Sequence, residues 1–329
     1  MLARVAENLY WMARYLERGE DLARLIIVNT NLLLDLPRGI APGWRSLVTI
    51  IGAEDEYAKI GPATDDEARV LRFLIADKDH SQSIVASLSS ARENARTLRE
   101  VIPREAWEQI NVLFHFALDG ADEGVAKRRR QDYLQNVIRG CQTLTGLLVG
   151  CMNHDEPYLL VRLGQNIERA DMTTRIIDVR SATLIEKTVR SAPDGADAVT
   201  GDAGTYQSIQ WMSVLKSLSG HQMYRQEQQT GVRRDAALQF LLQSRRFPRS
   251  VMFCVSALRE CLVAMRRNKR PIAAIDALTR TLMDTPVGTL PAGDLPAFID
   301  SLQLGLNVIH ESIVKTYFAR DAVTSANDA

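Results

Sequence analysis

Apolar residues recur every three or four positions along almost the whole chain, which is the period of a helix rather than of a strand. Between residues 2 and 34 they stand at Leu2, Val5, Leu9, Met12, Leu16, Ala23, Ile26 and Ile27. The pattern breaks at Leu36-Pro37-Arg38-Gly39 and again at Ala41-Pro42-Gly43. It resumes as helices predicted over about 44–51, 65–75, 79–101 and 125–152. A further helix starts near Pro103, a residue tolerated in a first turn, and carries Trp107, Ile110, Leu113 and Phe114. After the loop Asn153-His154-Asp155-Glu156-Pro157, helices are predicted over about 158–189, 205–219, 232–243, 248–268, 271–285 and 296–318. No stretch alternates for long with β-branched residues. The expected fold class is all-α, a multi-helix bundle.

The bundle reads as two pseudo-repeated halves. Residues 13–28 are ARYLERGEDLARLIIV and residues 164–179 are GQNIERADMTTRIIDV. At an offset of 151, Glu17 meets Glu168, Arg18 meets Arg169, Arg24 meets Arg175 and Glu20 meets Asp171. Downstream the offset becomes 167: Trp44 meets Trp211, Tyr57 meets Tyr224, Phe73 meets Phe240, Ser83 meets Ser250 and Arg92-Glu93 meets Arg259-Glu260. Fixed-offset similarity is the mark of a repeated structural unit. The change of offset requires an insertion, and the small, acidic, Gly-rich stretch 191–206 is expected to be that inserted loop. The expected organisation is one domain over 1–320, with halves at about 1–155 and 156–320, and a polar tail at 321–329.

Composition narrows the partners. Lys plus Arg equals Asp plus Glu at 40 each, so no basic excess points to nucleic acid. The local clusters Lys127-Arg128-Arg129-Arg130 and Arg266-Arg267-Asn268-Lys269-Arg270 read as solvated helix ends or faces. No apolar run approaches the roughly 20 residues that span a bilayer. The charged N-terminus lacks a signal-peptide core, so a cytoplasmic, bacterial-style protein is expected. Cys141, Cys151, Cys254 and Cys261 show no CxxC spacing, and buried thiols are the simplest reading.

The charged pairs carry the candidate chemistry. Arg14, Glu17, Asp21 and Arg24 share roughly one helical face, and Gln165, Glu168, Met172 and Arg175 match them in the second copy. Arg18 and Arg169 project about 100° away from the adjacent Glu. If a pseudo-twofold axis relates the halves, Glu17 is expected to pair with an Arg of the second helix and Glu168 with one of the first. One reading is structural: buried ion pairs fix the register in which the halves dock. The other is a ligand pocket, in which Arg forks hold a carboxylate or phosphate and a desolvated Glu acts as acid or base. The candidate binding or structural residues are Arg14, Glu17, Arg18, Arg24, Glu168, Arg169, Asp171 and Arg175. None is assigned as catalytic.

Other chemistry is thin. His80, His115, His154, His221 and His310 show no HxxxH or HxH spacing, and no Glu-x-x-His motif occurs, so neither a metal nor a cofactor is expected. His310-Glu311 reads as a packing or surface pair. There is no P-loop, GxGxxG or GxSxG. Ser83 and Ser250 read as helix caps.

The run Arg4-Val5-Ala6-Glu7-Asn8-Leu9-Tyr10-Trp11, followed by Arg14-Tyr15-Leu16-Glu17-Arg18, resembles the start of the bacterial alpha-E family, a helical family of unknown function named for its Glu-Arg motif. Leu163 to Met172 looks like the family's second motif, and Phe247-Pro248-Arg249-Ser250-Val251 and Ala91 to Arg96 also look like family segments. Gly19 departs from the Ala usual there. The resemblance implies partners rather than a reaction: a circularly permuted ATP-grasp protein, with a transglutaminase-like protein or a proteasome-like peptidase. Such neighbours imply ATP-dependent formation of an amide or peptide bond. Three functions follow as expectations: an accessory, interaction or substrate-binding protein of that system; an enzyme with a Glu/Arg anion-binding pocket in peptide or amide modification; or a structural oligomer.

Overall fold

The computed structural model describes residues 1–35, 43–62, 66–190, 200–229 and 231–319, with backbone alone at 182–190 and 200–205. Among the described residues the protein is all-α, with no strand. The helices are α1 (Ala3–Asp35), α2 (Arg45–Ile51), α3 (Glu54–Lys59), α4 (Glu67–Ile75), α5 (Ile84–Arg96), α6 (Arg104–Asp119), α7 (Ala121–Val125) and α8 (Arg130–Cys151). They continue as α9 (Glu156–Arg190), α10 (Thr200–Ser217), α11 (His221–Glu227), α12 (Arg234–Gln243), α13 (Val251–Val263), α14 (Lys269–Asp284) and α15 (Leu295–Ile313). A π-helical turn, Val314–Phe318, follows α15.

The two longest helices form the axis. At 33 and 35 residues, α1 and α9 are each about 50 Å long at 1.5 Å per residue. They pack against each other over much of that length. Gly164 sets how closely they approach, because a Cβ there would lie 2.1 Å from the carbonyl oxygen of Tyr10. α5 and α8 flank α1, while α13 and α15 flank α9; α2 packs on α9 and α10 on α1. One continuous apolar core runs from Leu9 and Tyr10 through Ile167 and Leu258 to Ile309.

Serine caps place the two flanking helices. Ser83 Oγ accepts from the amide of Ala86 at 3.0 Å, and Ser250 Oγ accepts from that of Phe253 at 3.1 Å. Each hydroxyl also donates to a carbonyl six residues back, Asp77 or Ser244. These caps correct two expected helix starts. The helix expected from 79 begins at Ile84, because Asp77 accepts from the amides of Asp79 and His80 and holds that stretch as a turn. The one expected from 248 begins at Val251. The helix expected from 125 begins at Arg130, after the short α7.

The expected loop at 191–206 is also corrected in part. Residues 191–199 lie outside the described residues, whereas α10 already runs from Thr200. Small residues carry no apolar period, so a helix there leaves no pattern to read. The polar tail at 321–329 lies outside the described residues. No helix among the described residues is long and apolar enough to cross a membrane.

Candidate functional site

Of the eight charged residues singled out in the sequence, six lie along the seam between α1 and α9, and the structure sorts them into two clusters. Around Glu168, Arg14 donates through Nε to Oε2 at 2.7 Å. Arg18 donates through Nε to Oε1 at 2.6 Å and through Nη2 to Oε2 at 3.2 Å. Arg14 thus sides with Arg18, one turn away, rather than with Glu17 as its assigned face implied; residues four apart on a helix are neighbours. Burial alone would raise the Glu168 pKa, but the Arg14 and Arg18 guanidiniums outweigh it and hold the carboxyl at about 2.

The second cluster surrounds Glu17. Arg169 donates through Nε to its Oε1 at 2.7 Å. So Glu17 pairs with an Arg of α9 while Glu168 pairs with arginines of α1. Arg249, at the entry to α13, lies 2.9 Å from the same Glu17 oxygen, donates to Asp21 and reaches Glu20 Oε1 at 3.1 Å. Arg24 pairs with Glu20 within its own helix. Three carboxylates and three guanidiniums are therefore interleaved out of water. Burial works to raise the Glu17 pKa, yet Arg169 and Arg249 pull it below the ordinary value. Asp21 differs. Burial, with Glu17 and Glu20 beside it, raises its carboxyl to about 7 against the pull of Arg249 and Arg24. Its Oδ2 is buried with no hydrogen-bond partner.

Asp171 and Arg175 stand apart. They bond each other at 2.8 Å along the more exposed side of α9 and join neither cluster.

Several residues that the sequence reading passed over complete the seam. Tyr10, fully buried, hydrogen-bonds His310 Nδ1 at 2.8 Å and stacks on its ring. Arg14 lies 3.4 Å from the same nitrogen and over the Trp11 ring. Arg14 can only donate, so Nδ1 is the acceptor and the neutral imidazole carries its proton on Nε2. Burial and the Arg14 charge push His310 down to about 4. His310 is thus joined to the Glu168 cluster instead of being a packing or surface partner of Glu311. Further along the seam, Arg180 donates to Asn29 Oδ1 at 2.8 Å; burial lowers the guanidinium pKa to about 10. One signal for Arg249 was available: three acids at 17, 20 and 21 call for more cations than Arg24 and Arg169 supply.

Arg130 corrects another expectation. It is 3% exposed rather than solvated, pairs with Glu67 at 2.7 Å and lies over the Trp44 ring. Cys141, Cys254 and Cys261 are buried free thiols, while Cys151 is exposed. No group of three or more His, Cys, Asp or Glu able to hold a metal ion occurs among the described residues.

The architecture defines an all-helical protein whose two longest helices exchange Glu and Arg partners across a buried seam. The chain belongs to the Alpha-E family, described as a predicted alpha-helical domain with a conserved ER motif, whose model matches residues 1–318. It is similar to an uncharacterized protein of Mycobacterium bovis, 24% identical over 207 residues that cover 55% of this chain and 22% of the relative. An uncharacterized protein of Mycobacterium tuberculosis strain H37Rv matches with the same identity and coverage. The match thus spans only about a fifth of the length of these curated relatives. No solved structure matches the chain.

Proposed function

We propose that the protein is an accessory, interaction or substrate-binding component of an ATP-grasp-linked system that forms peptide or amide bonds in the cytoplasm. The observation that carries this reading is the mutual saturation of the signature residues. Glu168 is held by Arg14 and Arg18, and Glu17 by Arg169 and Arg249. A carboxyl held at about 2 is a poor base near neutrality, since an effective base has a pKa near the working pH. The Arg forks already grip carboxylates of the same chain, so the signature residues serve docking of α1 on α9 better than turnover. The mycobacterial relatives add support: the matching region is a small part of a much longer polypeptide, as suits a module that works beside others. The ATP-grasp, transglutaminase-like and proteasome-like partners rest on the family resemblance.

A duplicated origin belongs to the same proposal. The matched caps Ser83 and Ser250 and the equal 13-residue lengths of α5 and α13 support it. The test of the functional reading is gentle purification of the tagged chain from its native cells, with identification of what accompanies it. Stoichiometric recovery of an ATP-grasp protein is expected. Recovery of the chain alone at normal abundance overturns the reading.

A further inference from the structure

One charged run remains without a role. Arg266, Arg267, Lys269 and Arg270 lie at the turn from α13 into α14, and all four are exposed. The turn is pinned from behind. Met265 is buried and donates its amide to the Leu262 carbonyl at 3.0 Å. Asn268 turns inward and donates through Nδ2 to the same carbonyl at 2.8 Å. Arg267 adopts a φ of 58°, in the left-handed region. The Tyr317 hydroxyl donates to the Arg266 carbonyl at 3.0 Å. The backbone is therefore fixed while the four cationic side chains reach water.

The run does not serve the fold. Lys269 and Arg270 occupy the first turn of α14, which carries no acid, and cations at a helix N-terminus oppose its dipole. The neighbouring ion pairs, Arg259 with Asp276 and Lys315 with Glu311, leave out Arg266, Lys269 and Arg270. A local rule broken without a gain in packing marks a surface kept for something else. Exposed aliphatic side chains stand beside it. Val263, 56% exposed, lies one turn before Arg267. Leu2, 77% exposed, is at the same end of the bundle. There the Met1 nitrogen lies 4.0 Å from Glu156 Oε2, and Glu156 and Arg267 both act electrostatically on the Tyr317 hydroxyl. Glu156, near Tyr317, and Glu260, near Cys261, border the run, and its four cations outnumber them.

We propose that this end of the bundle docks on an anionic lipid surface, with the four cations against the lipid headgroups and Leu2 and Val263 in the acyl boundary. No helix among the described residues is long and apolar enough to cross a membrane. Lying on one is a different property, which needs cations set around exposed aliphatic side chains. A lipid surface fits this patch better than two other anionic partners. Single-stranded nucleic acid is held by aromatic rings set among the cations, and residues 263–270 hold none. An acidic protein face would answer the charges and leave Leu2 and Val263 without a role. Ala3 and Glu17 are separated by about 21 Å of helix rise on α1, so the surface is distinct from the Glu-Arg seam. It needs no protein partner, and its test stands apart from that of the function proposed above.

The experiment is co-sedimentation of the purified chain with vesicles, of phosphatidylcholine alone or of an equimolar mixture with phosphatidylserine. The mixed vesicles are expected to bind at least about tenfold more tightly, and to release the chain as salt rises from about 0.1 to about 1 M. Lys269→Gln with Arg270→Gln is expected to weaken that binding about tenfold or more while Tm holds or rises, because two cations leave the first turn of α14. Leu2→Ser with Val263→Ser, at exposed positions, is expected to fold normally and to weaken binding about tenfold as well. The proposal is overturned if phosphatidylserine makes no difference, if either double variant binds like the parent, or if polyuridylate or polyglutamate binds as tightly as the mixed vesicles.

Discussion

Arg169 donates to Glu17 at 2.7 Å across 152 residues of sequence, while the residue that precedes it, Glu168, accepts from Arg18 in the opposite sense. Each long helix therefore holds the other's charge. Removing one member strands the rest in a medium that solvates them poorly, and breaking a buried pair in this way costs about 3–5 kcal/mol. Glu168→Gln is expected to lower stability by that amount, read from the urea midpoint at pH 7. A loss below about 1 kcal/mol would show the pairs to be dispensable for docking.

Asp21 behaves oppositely. Its folded pKa of about 7 lies above its ordinary 3.8. The stability tied to its proton is fully present below 3.8 and is lost as pH rises through about 7. Asp21→Asn keeps an acceptor for Arg249 and removes the carboxyl that ionises. The variant should match or exceed the parent in Tm at pH 8 and show less decline between pH 6 and 8. A lower Tm at both pH values would contradict the raised pKa.

For His310 the folded pKa of about 4 lies below the ordinary 6.5. A depressed pKa means the contribution is fully present above 6.5 and fades as pH falls toward 4. Protonation turns the Nδ1 acceptor into a donor facing Tyr10 and Arg14. His310→Asn supplies a carbonyl acceptor that cannot titrate. Its melting temperature should fall less steeply than the parent's from pH 6.5 to 4; parallel curves would remove His310 from the acid response.

Two glycines on the long helices should respond with opposite signs. At Gly19 an added Cβ meets Leu88 at 3.5 Å, an ordinary contact, so Gly19→Ala is expected to gain about 0.5–1 kcal/mol of helix stability. At Gly164 the Cβ would lie 2.1 Å from the Tyr10 carbonyl, and Gly164→Ala is expected to cost at least about 3 kcal/mol. Chemical unfolding of the two variants side by side decides this; equal effects would mean that α1 and α9 do not approach so closely.

The long helices were legible because their apolar stripes run for many turns, and the Glu-Arg steps stood out because they recur in like surroundings. α3, α7 and α11 were not: each completes fewer than two turns and buries a single residue, whereas the equally short α2 buries Leu47, Val48, Ile50 and Ile51. Arg249 and His310 escaped for another reason. Their partners lie 228 residues away at Asp21 and 300 residues away at Tyr10, and although the crowded acids at 17, 20 and 21 ask for a further cation, nothing in the sequence says which one answers. The seam between α1 and α9 was therefore half visible: its charges could be picked out, but the order of their pairing could not. Gly164, where α9 comes closest to the Tyr10 carbonyl of α1, has no local feature that sets it apart from any other helical glycine.

The clamp of Arg249 on Glu17, Glu20 and Asp21 also bears on how the chain is made. During synthesis the three acids leave the ribosome more than two hundred residues before their guanidinium. At ordinary elongation rates that gap is on the order of tens of seconds. Until α9 emerges with Arg169, the three acids have only the arginines of α1 itself nearby and the apolar stripe of α1 lacks its longest neighbour; after that, Asp21 still waits for Arg249. The acidic cluster of α1 is thus completed only late in synthesis, and until then the nascent chain has most need of a chaperone.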